Sequence, residues 1–161
     1  MANGDRPAGF KPFGKALRVS PYVAGEAIYP GDCVRMQADG KLDVAAASES
    51  LLGVAASYAA ADGDEVLVWD DPNQMFIGQC DGSDVDAQTD IGLNYNLVAT
   101  AGNTTYRTSR QEIDSDSQAT DSNLPFRSHY IETRPDNALG AQVELVVSIN
   151  NHQLQKSSEG L

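Results

Sequence analysis

Short strand-like segments separated by turn signals every eight to twelve residues or so limit the fold of this chain more than any other sequence feature. Residues 33–37 and 42–45 alternate or cluster apolar residues on either side of Asp39-Gly40. An Asp-Gly pair supplies the positive φ angles that a two-residue hairpin turn requires. Helical periodicity is hard to find from residue 16 onward, so the cadence predicts an all-β fold.

A second Asp-Gly pair, Asp62-Gly63, separates residues 53–60 from residues 65–71, where strand alternation is clear. A third strand is predicted over residues 75–80, after the break at Pro72-Asn73. We therefore predict a mainly β protein, with an antiparallel β-barrel or sandwich body. Its first part is predicted to be a small antiparallel β-barrel over residues 19–82.

The second half repeats the cadence with longer loops, and we predict a second β-rich part over residues 83–154, packed on the first. Its strands are expected at residues 91–98, 104–113, 124–134 and 141–150. The last strand is the most apolar, which places it at the centre of a sheet. The run DSDSQATDSN, residues 114–123, is expected to be a solvent-exposed loop. Residues 155–161 are expected to form a disordered tail.

The first 18 residues differ from the rest because Pro, Gly and single aromatic residues alternate in them, a spacing that neither a helix nor a central strand tolerates. Phe10 and Phe13 have no apolar neighbours in this segment that could bury them. The pattern predicts an extended N-terminal arm that lies on another surface. A frayed terminus is the alternative.

The beginning of the chain also differs from the rest in its charge. Residues 1–20 contain four basic residues and one acid, a net charge of +3, whereas the remainder contains 7 basic and 22 acidic residues, a net charge of −15. An acidic body repels phosphate, so nucleic acid is not an expected partner. No apolar run approaches the roughly 20 residues of a spanning helix, and we expect no membrane association. The opening MANGDRPAGF lacks the apolar stretch of a secretory signal, which favours action inside a cell.

Residues that carry chemistry are few. Cys33 and Cys80 lack metal or redox spacing and are expected to be apolar strand residues. His129 and His152 belong to no catalytic or metal motif and are expected at the surface. The acidic runs at 81–90 and 114–116 could gather oxygen ligands for Ca²⁺, but neither fits the EF-hand pattern. We expect no catalytic residue, no metal site and no cofactor.

Several stretches together resemble the small decoration or cement proteins that bind the outside of tailed-bacteriophage heads. They are the opening DRPAGFKPFGKA, the hairpin YPGDCVRMQADGKLDVAAA, the strands LLGVAAS and GDEVLVWDDP, and the closing LPFRSHYIETRPDNALGAQVELVVSINNHQL. The resemblance implies a non-enzymatic virion protein that binds the major capsid protein on the outer capsid surface. It also implies a homo-oligomer, a trimer, made in the cytoplasm of the host bacterium.

Under this hypothesis the arm contacts the shell, and its expected capsid-binding residues are Arg6, Phe10, Lys11, Phe13, Lys15 and Arg18. Two other classes of protein remain possible from the sequence. A carbohydrate-binding or adhesion β-module would group aromatic residues on an exposed face, whereas Tyr58, Trp69 and Tyr106 are dispersed in sequence. A small β-fold hydrolase or lyase would lose activity on replacement of His129 or His152.

Overall fold

Eleven β-strands in two antiparallel sheets make up the computed structural model, which describes residues 3–155. This confirms the predicted mainly β fold class. The strands are β1 (Lys11–Pro12), β2 (Val19–Val23), β3 (Cys33–Met36), β4 (Leu42–Val44), β5 (Gly53–Ala55), β6 (Glu65–Trp69), β7 (Met75–Gln79), β8 (Asn94–Val98), β9 (Glu112–Ala119), β10 (Phe126–Ile131) and β11 (Glu144–Ile149). A single 3-10 turn, Gln88–Asp90, is the only helical element among the described residues.

The five-stranded sheet has the order β2-β6-β5-β3-β4 and contains both predicted hairpins. Gly40 and Gly63 occupy their turns with φ of 81° and 92°, as the Asp-Gly pairs predicted. A bridge between Ala24, just after β2, and Leu42 in β4 joins the two edges of this sheet. The sheet thereby closes around a small apolar interior that includes Val34, Leu42, Val66 and Val68.

The six-stranded sheet has the order β1-β7-β11-β10-β8-β9. Strand β11 lies between β7 and β10, which confirms its predicted central position. Strand β7 was predicted as part of the first barrel, but it pairs with β11 and β1 in this sheet. The predicted boundary at residue 82 therefore does not coincide with the division between the sheets.

The main core lies between the two sheets. It joins Cys33 and Val54 of the five-stranded sheet to Phe76, Tyr95 and a row of apolar β11 residues in the six-stranded sheet. Cys33 and Cys80 are both buried free thiols, as expected for apolar strand residues. Burial raises the pKa of each thiol, so both stay protonated at neutral pH.

Two expectations for the second half are wrong. The predicted strand at residues 104–113 is largely loop, and the predicted loop at 114–123 contains most of β9. Strand β9 lies at the edge of the sheet beside β8, and Ile113 near its start also forms a bridge with Cys80. The Ser115 N–H donates to Asp81 and the Ser115 hydroxyl to Asp84, both in the loop between β7 and β8, and Ser115 is buried there.

The C-terminal residues of the described chain cross the five-stranded sheet. Leu51 bonds the backbone of Asn151 and Gln153, and the Gln153 side chain bonds the backbone of Met36. His152 is buried here, 1% exposed, so its expected surface position is wrong. Residues 156–161, most of the predicted tail, lie outside the described residues. Between residues 3 and 155 no helix has the length and apolar character needed to cross a membrane.

Candidate interaction surface

The N-terminal segment is attached to the body by backbone hydrogen bonds. The Phe10 N–H donates to the Gly31 carbonyl at 2.9 Å, and β1 then pairs with Phe76 and Ile77 of β7. Gly31 has a φ of 94°, and a Cβ there would lie 2.8 Å from the Ala8 carbonyl oxygen. A side chain at Gly31 would therefore push the segment off the body.

Phe10, which has no apolar neighbour in its own segment, is buried by distant parts of this chain and not by another molecule. The residue is 2% exposed and belongs to the main core, where its ring stacks on Phe126 with 4.8 Å between centroids. Gly78 makes this possible, because a Cβ at that position would lie 2.3 Å from the Phe10 ring. Sequence reasoning missed this contact because both partners are more than 60 residues away from Phe10.

The opposite side of the six-stranded sheet carries a surface that we call the outer sheet face. Residues that lie opposite each other on neighbouring strands point to the same side of a sheet, so each such set forms a row across the strands. Two rows make up this face. The first row is Arg127, Ser148 and Met75, and the second is Tyr130, Val146, Ile77 and Lys11. Phe13 lies beside the second row, because its ring meets the Tyr130 ring edge to face at 5.8 Å.

The centre of the outer sheet face is apolar. Val146 and Ile77 are buried beneath it, whereas Tyr130 is 43% exposed and Phe13 is half-buried. A β-bulge at residues 128–130 of β10 turns Tyr130 to this side, and the bulge has no clear signal in the sequence. The predicted anchor Phe13 is thus paired with an aromatic residue that sequence reasoning did not select.

Unpaired cations flank this apolar centre. Arg6, Lys11 and Arg127 form no ion pair with a carboxylate of residues 3–155, and neither do Lys15, Arg107 and Arg110 elsewhere in the chain. Arg6 and Lys11 line a cleft of about 290 Å³ at one end of the face, and Arg134, Asp136 and Glu144 line the same cleft. Arg134 differs from Arg6 and Lys11 because Glu132, Asp136 and Glu144 surround its guanidinium.

Arg18, another predicted contact residue, is engaged within the protein. Its Nε donates to Asp70 Oδ1 at 2.8 Å, and Ser20 and Tyr22 donate to the same carboxylate. Burial opposes ionisation of Asp70, yet these hydrogen bonds outweigh it and keep the pKa of that carboxyl below its ordinary value. The six predicted contact residues therefore fall into three groups. Arg6, Lys11 and Phe13 lie at the outer sheet face, and Lys15 is exposed. Phe10 and Arg18 make contacts within the protein.

A groove of about 400 Å³ lies at the other end of the outer sheet face, with Arg127, His129 and Ser148 in its lining. His129 Nε2 lies 2.8 Å from Ser148 Oγ. Among residues 3–155 no carboxylate bonds the second ring nitrogen, so the orienting member of a catalytic triad is lacking. Burial and the nearby Arg127 lower the pKa of His129, which leaves the ring neutral at pH 7.

The acidic runs meet at the opposite edge of the same sheet. Asp81 and Asp84 accept hydrogen bonds from Ser115, which lies between Asp114 and Asp116. Burial and the neighbouring Asp116 raise the pKa of Asp114 to about 6. Within residues 3–155 no group of three or more His, Cys, Asp or Glu side chains is arranged to hold a metal ion.

Aromatic residues that are far apart in sequence also come together beside the five-stranded sheet. Tyr29 and Tyr58 lie 5.5 Å apart, and the Arg107 guanidinium covers the Tyr58 ring at 4.7 Å. Tyr106 nearby in sequence is 78% exposed, whereas Trp69 packs against the main core. Tyr29 and Tyr58 are each half-buried, so part of their ring surface stays free.

Comparison with known proteins gives no family for this chain. No protein-family model matches the sequence, and no curated protein matches it.

Proposed function

We propose that this chain is a non-catalytic structural protein of a tailed-bacteriophage virion, which binds the outer surface of the expanded head as a decoration or cement protein. In this role it bridges neighbouring subunits of the major capsid protein. The supporting observation is the outer sheet face, where the exposed Tyr130 and the half-buried Phe13 form an aromatic pair at the surface, with Lys11 and Arg127 beside it. Exposed aromatic pairs of this kind are typical of the energetic centre of protein interfaces.

Such a role requires contact surface and rigidity instead of a catalytic pocket. The N-terminal segment supplies the contact residues, while its own backbone bonds and the buried Phe10 ring fix it to the body. A preorganised segment loses less conformational entropy on binding than a free arm does. Binding only to the expanded lattice would stabilise that lattice by mass action.

The proposal is tested by sedimenting purified protein with expanded heads that lack it. We expect saturable binding by the wild type, weakened by about 1 to 3 kcal/mol in Phe13→Ala and Tyr130→Ala, as interface aromatic residues commonly contribute. Tyr106→Ala is the matched control, since it removes an exposed tyrosine away from the outer sheet face. No saturable binding, or an equal loss in all three variants, would contradict the proposal. Point variants are preferred to truncation, because deletion of the segment also removes Phe10 from the core.

A carbohydrate-binding or adhesion module displayed on a virion surface is the second candidate. The group formed by Tyr29, Tyr58 and Arg107 favours it, since sugars stack on exposed aromatic rings. The guanidinium already covers one face of Tyr58, so this observation is weaker than the outer sheet face. A glycan-binding screen in which wild type binds and Tyr58→Ala does not would favour the second candidate.

A further inference from the structure

We propose that copies of this protein bind one another through the outer side of strands β2 and β6. This surface, which we call the β2–β6 stripe, consists of Leu17, Val19, Pro21, Val23 and Leu67. The inference goes beyond the proposed function, because it concerns the isolated protein and requires no shell.

Exposed apolar side chains are concentrated on the β2–β6 stripe. Every second residue of β2 is exposed, and Leu67 of β6 lies opposite Pro21 on the same side of the sheet. Seven large apolar or aromatic side chains are exposed among the described residues, and four of them lie here: Leu17, Val19, Val23 and Leu67. Single exposed apolar residues are ordinary, whereas a contiguous group of them marks an interaction site.

The stripe continues the main core beyond its cover. A row across the five-stranded sheet runs from Val19 of β2 through Trp69 of β6 to Val54 of β5. Val54 is fully buried in the main core between the two sheets, whereas Val19 at the other end of the row is 44% exposed. The apolar face of the five-stranded sheet is therefore wider than the surface that one copy covers.

The two ends of the stripe are complementary to each other. Leu17 is 51% exposed at one end, and a hollow of about 190 Å³ lies at the other end, with Pro21 and Val23 in its lining. Glu65 also lines the hollow, and Lys15 precedes Leu17 by two residues. In a head-to-tail contact the Leu17 side chain of one copy meets the hollow of the next, and Lys15 comes near Glu65. A two-fold pair and a closed ring both allow this contact.

Charge opposes self-association over much of this protein but not on the stripe. The net charge is −12, and like charges brought together across an interface weaken binding. Among the residues of β2 and β6 only Glu65 is charged. Arg18, the one charged residue between Leu17 and Val23, is already paired with Asp70. Two identical copies can therefore meet here without bringing acidic residues together.

The size of the stripe suits the centre of such an interface. It is about 20 Å long at about 3.3 Å per residue, and two strands make it about 10 Å wide. This area of roughly 200 Å² is about a quarter of the roughly 800 Å² that each partner buries in a stable complex. Interfaces combine an apolar centre with a polar rim, and we expect association at micromolar concentrations.

Sedimentation equilibrium of the isolated protein at tens of micromolar tests the inference. The stripe variants are Leu17→Ser and Val23→Ser, and Leu154→Ser is the matched control, because Leu154 is an exposed leucine outside the stripe. The wild type and Leu154→Ser should self-associate equally. Each stripe variant should have an association constant at least about tenfold lower. Thermal melts check that all variants are folded.

Cross-linking locates the contact. Copies with Leu17→Cys are mixed with copies with Val23→Cys under a mild oxidant, while the native Cys33 and Cys80 thiols are buried and do not react. We expect a covalent dimer that contains one copy of each variant. Leu154→Cys in place of Leu17→Cys should give none.

Three results would overturn the inference. They are a monomeric wild type, equal association of the stripe variants and the control, and stripe variants that self-associate normally but lose head binding. The last result would make the shell protein the partner of the stripe. Failure of the wild type to bind heads would instead contradict the proposed function, and the measured self-association would still decide this inference.

Discussion

The position of Phe10 changes the interpretation of the N-terminal segment. Its ring stacks on Phe126 and fills the space that Gly78 leaves open, so this part of the N-terminal segment packs into the core of the same chain. Phe13, three residues later, points to the opposite side of the sheet and meets Tyr130 at the surface. The two aromatic residues therefore have separate roles, one in stability and one at the candidate interface.

The first prediction follows from this division. Phe10→Ala should lower the free energy of unfolding by about 3 to 5 kcal/mol, the usual cost of emptying a buried phenylalanine site. Phe13→Ala, the matched control, should cost less because that ring is only half-buried. Denaturant titration of the two variants measures both values. Equal stabilities would contradict the placement of Phe10 in the core.

His152 makes a second prediction at the same scale. Its Nδ1 accepts a hydrogen bond from the Leu154 N–H, its Nε2 is buried without a partner among residues 3–155, and burial lowers the pKa of the ring to about 4. The unfolded chain binds a proton near pH 6.5, so this site contributes its full stability above that pH and loses it as the pH falls towards 4. Asp114 acts in the opposite sense, because its raised pKa favours the folded state at lower pH.

The His152→Gln variant lacks the imidazole whose pKa differs between the folded and unfolded states. Its unfolding free energy should therefore fall less steeply than that of the wild type as the pH is lowered. We expect wild type to lose more unfolding free energy than His152→Gln between pH 7 and pH 5, by up to about 2 kcal/mol. His129→Gln is the comparison, since that histidine lies at the surface and its pKa is lowered by less, so its profile should flatten by a smaller amount. Denaturant titrations at both pH values give the difference. Parallel pH profiles for wild type and His152→Gln would contradict a buried neutral imidazole.

At the scale of elements, local turn chemistry was predictable from sequence and pairing across the chain was not. Asp39-Gly40 and Asp62-Gly63 set both hairpins, because positive φ is a property of the turn residues themselves. The edge strand β9 was missed because its polar residues match a loop in composition, and only the neighbour β8 and the bonds to Ser115 make it a strand.

The residues of the candidate surface were likewise predictable only in part. Lys11 and Phe13 could be selected from composition, since unpaired apolar and basic residues at a terminus suggest contact. Tyr130 and Arg127 could not, because a register shift and a sheet order that joins β10 to β1 through two other strands bring them near. Burial of Phe10 likewise depends on the distant Phe126.

The third prediction belongs to the hairpins. Gly40→Val and Gly63→Val should each cost about 1 to 3 kcal/mol of stability, because a β-branched residue is strained at these φ angles. A Cβ at either position would meet no atom within 4 Å among the described residues, so the cost is conformational and not steric. Thermal melts of both variants test this, and unchanged melting temperatures would argue against the turn geometry.

At the scale of the whole molecule, the resemblance to phage decoration proteins implies that the isolated protein is a symmetric homo-oligomer, a trimer. Closed symmetry would let one interface be used repeatedly. Sedimentation equilibrium at tens of micromolar should give three times the mass of 17.1 kDa. A monomer under those conditions would contradict this expectation, while the head-binding measurements would remain a separate test.

The proposed function requires one side of the molecule, the outer sheet face, to be turned towards the shell. That face carries Lys11 and Arg127 beside the Phe13–Tyr130 pair, although the protein has a net charge of −12. Its orientation on the shell is what a structure of decorated heads must show.

Cryo-electron microscopy of expanded heads saturated with the protein tests that claim most directly. We expect ordered density on the outer capsid surface, with β1, β7, β11 and β10 turned towards the major capsid protein and Phe13 and Tyr130 at the contact. Density in which the six-stranded sheet turns its outer face to solvent, or heads that carry no ordered density for this protein, would contradict it.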